Sequence, residues 1–176
     1  GRLEQMAAEP VTIDLMDQIV SQILNDKQRE RFQAKNEMDL ALSVAKLGRF
    51  RINIYKQRGT IGIAIRAVNA VVPSFEELNL PPVMRKLTQE RRGLIVITGT
   101  TGSGKSTTLA SMIEEMNETR SDNILVIEDP IEYIYRDKKS IISQREVGAD
   151  TESFASALRS AFRQDPDVIL IGEVRD

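Results

Sequence analysis

Apolar residues recur along this chain with two periods, and the change from one to the other marks its elements. Leu15, Met16, Ile19, Val20, Ile23 and Leu24 repeat at the spacing of one helical face, which predicts a helix from Ile13 to about Asn25 with Thr12 as its cap. The period then drops to two. Leu40, Leu42 and Val44 share one side, and beyond Gly48 the residues Phe50, Ile52 and Ile54 alternate with Arg49, Arg51, Asn53 and Tyr55. Ile61, Ile63 and Ile65 alternate again after Gly59. Such segments predict antiparallel strands with one buried face, and with the helix they make a small mixed domain.

Pro73 and the Pro81-Pro82 pair bracket a connection, which sets a boundary near residue 80 and divides the chain into 1–80 and 81–176. A short basic helix, Val83–Leu87, follows. Strand and helix then take turns: strand Leu94–Thr98, helix Lys105 to about Asn117, strand Asn123–Ile127, a short strand at Ser140–Ser143, helix Thr151–Arg163 and strand Val168–Ile171. This alternation predicts an α/β fold with a parallel sheet covered by helices.

Composition narrows the chemistry. The 176 residues include no cysteine, so disulfides and cysteine-held zinc are excluded within them. There is no histidine either, so any general acid or base must be a carboxylate, a lysine or a tyrosine. A net charge of -2 argues against a nucleic-acid footprint over the whole chain. No apolar run approaches the ~20 residues that a membrane helix needs, so direct membrane insertion is not expected. The chain starts without Met and stops on Asp176 just after an apolar strand, and it reads as a piece cut at both ends.

Between the strand at Leu94–Thr98 and the next helix stands Gly99-Thr100-Thr101-Gly102-Ser103-Gly104-Lys105-Ser106, a complete G-x-x-x-x-G-K-[ST] P-loop, followed by Thr107. Backbone N–H groups of such a loop, and the positive end of the helix, hold the phosphates of ATP. Lys105 is assigned to the β- and γ-phosphates, Ser106 to Mg²⁺ and Thr107 to the α-phosphate. The alternative, a glycine-rich turn with a chance lysine, does not account for the strand before the loop and the helix after it.

Two acidic sites follow strands, where ligands bind in open parallel sheets. One is Glu128-Asp129-Pro130-Ile131-Glu132 and the other is Gly172-Glu173. The residue directly after the apolar run Val168–Ile171 is Gly172, so Glu173 is the candidate carboxylate beside Mg²⁺, directly or through water. Glu132 is the candidate for orienting the attacking water, with Glu128 and Asp129 as second choices; solvated loop acids are the plainer reading. Arg49, Arg51 and Arg58 are candidate arginine fingers, presented to the γ-phosphate by a neighbouring subunit, or else part of a solvated polar face. Arg159 and Arg163 read as surface ion-pair residues.

The P-loop run on to Ala110, Ile127-Glu128-Asp129-Pro130-Ile131-Glu132-Tyr133, Gln144-Arg145-Glu146-Val147-Gly148 and Asp165–Asp176 together resemble the motor domain of the secretion-superfamily ATPases, most of all the type IV pilus retraction ATPases of the PilT and PilU group. Gly48-Arg49-Phe50-Arg51-Ile52-Asn53 resembles that family's PAS-like N-terminal domain. The resemblance implies a RecA-like P-loop sheet, incomplete at its C-terminal end, after a partial PAS-like α+β domain. It implies Glu132 as the catalytic glutamate, Glu173 as an atypical Walker B glutamate, and Arg49 and Arg51 directed toward nucleotide. It further implies ATP and Mg²⁺ as cofactors, a homo-hexamer, and a cytoplasmic place at the inner-membrane base of the pilus beside a platform protein. Pilus retraction is the activity implied. Pilus extension or type II secretion, and a ring subunit that binds nucleotide without turnover, are the alternatives.

Overall fold

The computed structural model describes residues 4–6 and 8–173. It divides into two units, Gly1–Ala67 and Val68–Asp176. The boundary falls well before residue 80, because Val68 to Leu80 pack within the second unit: Asn69 bridges to Tyr133, and Phe75 is buried there.

In the first unit, α1 (Ile13–Ile23) is capped by Thr12, whose Oγ1 accepts from the Leu15 N–H. A second helix, α2 (Asp26–Lys35), was not expected from apolar spacing, because Phe32 is its one large apolar residue. Its signal lies at its start, where Asn25 and Gln28 form a reciprocal capping box. Strands β1 (Glu37–Val44), β2 (Gly48–Gln57) and β3 (Thr60–Ala67) form an antiparallel sheet in that order. Val20, Leu24, Phe32, Met38, Ile52 and Ile54 make the core. Alternation puts Arg49 and Arg51 on the side of β2 opposite Ile52 and Ile54, with Arg51 directly across from Arg66 on β3.

The second unit opens with α3 (Pro82–Leu87) and continues through the P-loop into α4 (Lys105–Thr119). Strands β4 (Asn123–Glu128), β5 (Ile141–Glu146) and β6 (Val168–Ile171) form a parallel sheet in the order β5-β4-β6, with α5 (Phe154–Ala161) between the last two in sequence. Ile124, Val126 and Leu170 pack against Ile113 and Met116 of α4, while Leu125 and Ile127 pack against Ala157 and Ala161 of α5. The sheet is thus apolar on both faces, as a parallel sheet between helices must be.

One expected strand is absent. Leu94–Thr98 forms no ladder, and Leu94 and Val96 are 87% and 69% exposed. A strand exists only through its partner's hydrogen bonds, and no described strand runs beside this segment. The approach to it is nevertheless anchored. Arg120, the C-cap of α4, is buried; its Nη1 donates to the Thr88 carbonyl at 2.6 Å and to Glu90 at 3.2 Å, while Nη2 pairs with buried Asp122 at 2.5 Å. The exposed Arg91 also reaches Asp122. This network ties the residues leading to the P-loop to the end of α4 and the start of β4.

Removing one partner of a buried ion pair strands the other charge. Arg120→Ala is expected to destabilise the second unit by about 3 kcal/mol in urea unfolding; a loss below 1 kcal/mol, the size of a surface pair, would contradict this reading of the network.

Candidate functional site

The P-loop takes the backbone that its glycines allow. Gly99, Gly102 and Gly104 have φ of 154°, 81° and 92°. A Cβ on Gly99 would also meet Ser103 Oγ at 2.6 Å, so that hydroxyl would have to move, beside the strain of the positive φ. Gly104 is the N-cap of α4 and supplies no side-chain acceptor. The first-turn N–H groups of α4 therefore face outward with the helix dipole behind them, which is an anion site. Lys105 Nζ donates to the Gly99 and Thr100 carbonyls at 3.0 and 2.9 Å, holding its ammonium against the loop. Ser106 is exposed in that same first turn. Thr100, Thr101 and Ser103 complete the loop, and the Ser103 N–H donates to the Thr100 carbonyl at 3.2 Å.

All three strands of the sheet are parallel, so their C-terminal ends share one edge, and the acids gather there. Glu128 ends β4 and lies in register with Glu146, the end of β5. Both are buried, at 9% and 6% exposure. On the other side Gly172 follows β6 and its N–H donates to the Ile127 carbonyl at 2.8 Å. A Cβ on Gly172 would lie 3.1 Å from Glu128 Cγ and 3.4 Å from its Cα. A side chain here would crowd Glu128, and the first carboxylate after β6 is Glu173, one residue further on.

Between β4 and β5 the chain turns through a cis Asp129–Pro130 peptide and presents Glu132, half-buried, between buried Ile131 and Tyr133. Tyr133 Oη donates to Thr107 Oγ1 at 3.2 Å, which joins this loop to the first turn of α4. The P-loop helix and the Glu132 loop thus belong to one assembly. Burial pushes the Glu128 carboxyl up to about 7, and the nearby carboxylates of Glu132 and Glu146 push the same way, while the Glu132 backbone N–H pulls it back. Burial likewise raises the Tyr135 phenol. Asp129, by contrast, is exposed.

Ser106 and Glu173 offer a hydroxyl and a carboxylate. These hard oxygen donors suit Mg²⁺, which takes few protein ligands and keeps phosphate and water oxygens for the rest. Arg49, Arg51 and Arg58 belong to the first unit: the first two on β2 and Arg58 in the β2–β3 turn with φ of 49°. Arg159 lies on α5, and Arg163 beyond its end. Sequence reasoning assigned no role to Gln144 and Glu146, although both bond to the backbone of the Glu132 loop. The expected strand stopped at Ser143, whereas β5 runs on to Glu146 and puts both on the face of Ile142.

Comparison with known proteins agrees with this geometry. The family model described as "Type II/IV secretion system protein" matches residues 11–176. The type IV pilus ATPase PilU of Pseudomonas aeruginosa is 42% identical over 175 residues, covering 99% of this chain and 46% of PilU. The pilus retraction ATPase PilT of the same organism is 42% identical over 176 residues, covering 100% of this chain and 51% of PilT. A crystal structure of the pilus retraction motor PilT with bound ADP superposes with a TM-score of 0.87 at 48% identity, covering 91% of this chain and 47% of that one. The chain thus spans about half the length of the curated relatives it matches. An intact P-loop on an uncapped helix, an acidic sheet edge beside it and a family match over nearly every residue have one meaning: this chain belongs to the type II/IV secretion system protein family.

Proposed function

We propose that this chain is the nucleotide-binding portion of a Mg-dependent ATPase motor that powers type IV pilus retraction. The observation that carries the proposal is the hydrogen bond from Tyr133 to Thr107, which ties the Glu132 loop to the first turn of the P-loop helix. A relative named as a retraction ATPase aligns over the whole chain, first unit included, and this supports retraction over extension.

The chemistry follows from charge. The γ-phosphoryl group passes through a transition state with negative charge on its equatorial oxygens, so catalysis is largely positioning and electrostatics. The P-loop N–H groups and the Lys105 ammonium hold the phosphates, with Gly99 to Thr107 forming the cradle. Mg²⁺, when bound, neutralises phosphate charge, and Ser106 and Glu173 are the residues that hold it. Glu132 orients the attacking water. It is preferred over Glu128 because Glu128 is buried at the end of β4, whereas Glu132 is half-buried on the loop tied to α4. Asp129 lies outside the run of loop residues bonded to β5 and α4. Arg49, Arg51 and Arg58 serve as fingers from a neighbouring subunit of a homo-hexamer.

In the cell the motor acts at the cytoplasmic side of the inner membrane, against the platform protein of the pilus. No helix among the described residues is long and apolar enough to cross a membrane.

Four outcomes are expected. In Mg-ATP hydrolysis assays of the full-length protein, Lys105→Ala loses both nucleotide affinity and turnover. Glu132→Gln keeps affinity within about threefold and lowers kcat by at least about 10²-fold, the cost of losing a positioned general base; an intact rate in Glu132→Gln would move the role elsewhere. Mixing Arg49→Ala and Lys105→Ala proteins, each inactive, restores partial hydrolysis if the arginine acts across a subunit boundary, and gives none if it acts within its own chain. The fourth outcome concerns pH. The folded state holds the Glu128 proton more tightly than the unfolded chain, whose pKa is about 4.5. Its contribution to stability is complete below about 4.5 and is lost as pH rises through about 7. Unfolding free energy of the nucleotide-free protein is expected to fall by about 3 kcal/mol across that window, and Glu128→Gln to remove most of the fall. An unchanged slope in Glu128→Gln would place the proton on another group.

A further inference from the structure

Strand β5 carries two polar side chains on the face it turns toward α4. Alternation puts Ile142, Gln144 and Glu146 on that face, and Ile142 joins the apolar cluster with Ile113 and Val126. Gln144 and Glu146 would be costly there without partners, and both have partners in one short stretch of backbone. Gln144 Oε1 accepts from the Tyr135 N–H at 3.0 Å, and its Nε2 donates to the Tyr133 carbonyl at 2.8 Å. Glu146 Oε2 accepts from the Ile131 N–H at 3.1 Å. The Asp150 carboxylate in turn accepts from the Glu146 N–H at 2.9 Å, which fixes the end of β5.

The three bonds bracket Glu132. They take the donor before it, the acceptor after it and the donor two residues further on, so Gln144 and Glu146 do for residues 131–135 what a neighbouring strand would do. On the other side of the same stretch the Ile134 N–H donates to the Asn69 carbonyl at 3.1 Å. Ile131 and Tyr133 are buried at 3% and 9% exposure while Glu132 between them is half-buried, so the backbone is gripped and the carboxylate is presented. A loop held only by apolar contacts could slide along its own axis. Directional bonds to successive backbone groups fix its register, and a displacement of about 1 Å at a catalytic group can cost about 10²-fold in rate.

We propose that Gln144 and Glu146 are positioning residues for Glu132, setting where its carboxylate stands over the bound nucleotide without touching the nucleotide themselves. This rests on the reading of Glu132 as the water-orienting carboxylate.

The test combines kinetics and amide exchange in the full-length protein. Gln144→Ala and Glu146→Ala are expected to lower kcat for Mg-ATP about ten- to a hundredfold while leaving nucleotide affinity within about twofold. Amide exchange across residues 131–135 rises at least about tenfold, with β4 still protected. Glu146→Gln retains an acceptor oxygen for the Ile131 N–H and keeps at least about a third of the rate. Gln144→Ala added to Glu132→Gln lowers the rate no further than Glu132→Gln alone, because both act through one group. A parallel loss of affinity and kcat, faster exchange with an unchanged rate, or a further loss in the double variant would each overturn the proposal. An intact rate in Glu132→Gln alone would instead remove the parent reading, and exchange in Gln144→Ala would still report whether the grip exists.

Discussion

β4 runs through the middle of the parallel sheet, with Ile124 to Ile127 buried on both faces and a strand on each side. A strand in that position can offer chemistry only at its end, since every other side chain is committed to packing. Its C-terminal end therefore carries the acids, and its neighbours are shaped around them. A side chain at position 172 would crowd Glu128, and the residue after β6 is glycine, with the carboxylate one residue later. The loop leaving β4 returns along β5, and the side chains of β5 hold it.

A second constraint is the charge of the ligand proposed for this site. A triphosphate needs many donors at close range, and backbone N–H groups supply them without the bulk of side chains. That requires positive φ at three glycines and a helix whose first turn is left without a side-chain cap. Acids must then stand close enough to act and stay separated enough not to repel the phosphates. Burial favours the protonated form of Glu128 near neutral pH, while Glu146 is occupied by the Ile131 N–H. Glu132 and Glu173, both half-buried, are the other two carboxylates of this edge.

Much of this was legible in the residues. The P-loop announced itself through a contiguous motif, and β1, β2, β4 and β6 through apolar period or apolar runs, because those signals are local. The second helix was missed because its single buried Phe32 makes no stripe, and only the Asn25–Gln28 capping box betrays it. The strand at Leu94–Thr98 was expected from its apolar run, yet pairing is not a local property, and nothing in a sequence supplies the neighbour. The boundary near residue 80 followed the prolines, whereas the packing of Phe75 and the bridge at Asn69 move it to Ala67. The roles of Gln144 and Glu146 were hidden for the same reason: their partners are backbone groups that look like any others in one dimension.

The most direct test of the account is a structure of the full-length protein bound to Mg-ADP and a planar phosphoryl mimic such as aluminium fluoride. The account predicts the triphosphate mimic on the Gly99–Thr107 loop, with a water in line behind the planar group and the Glu132 carboxylate about 2.6–3.2 Å from it. A water held instead by Glu128 or Glu173, with Glu132 turned away, would contradict it.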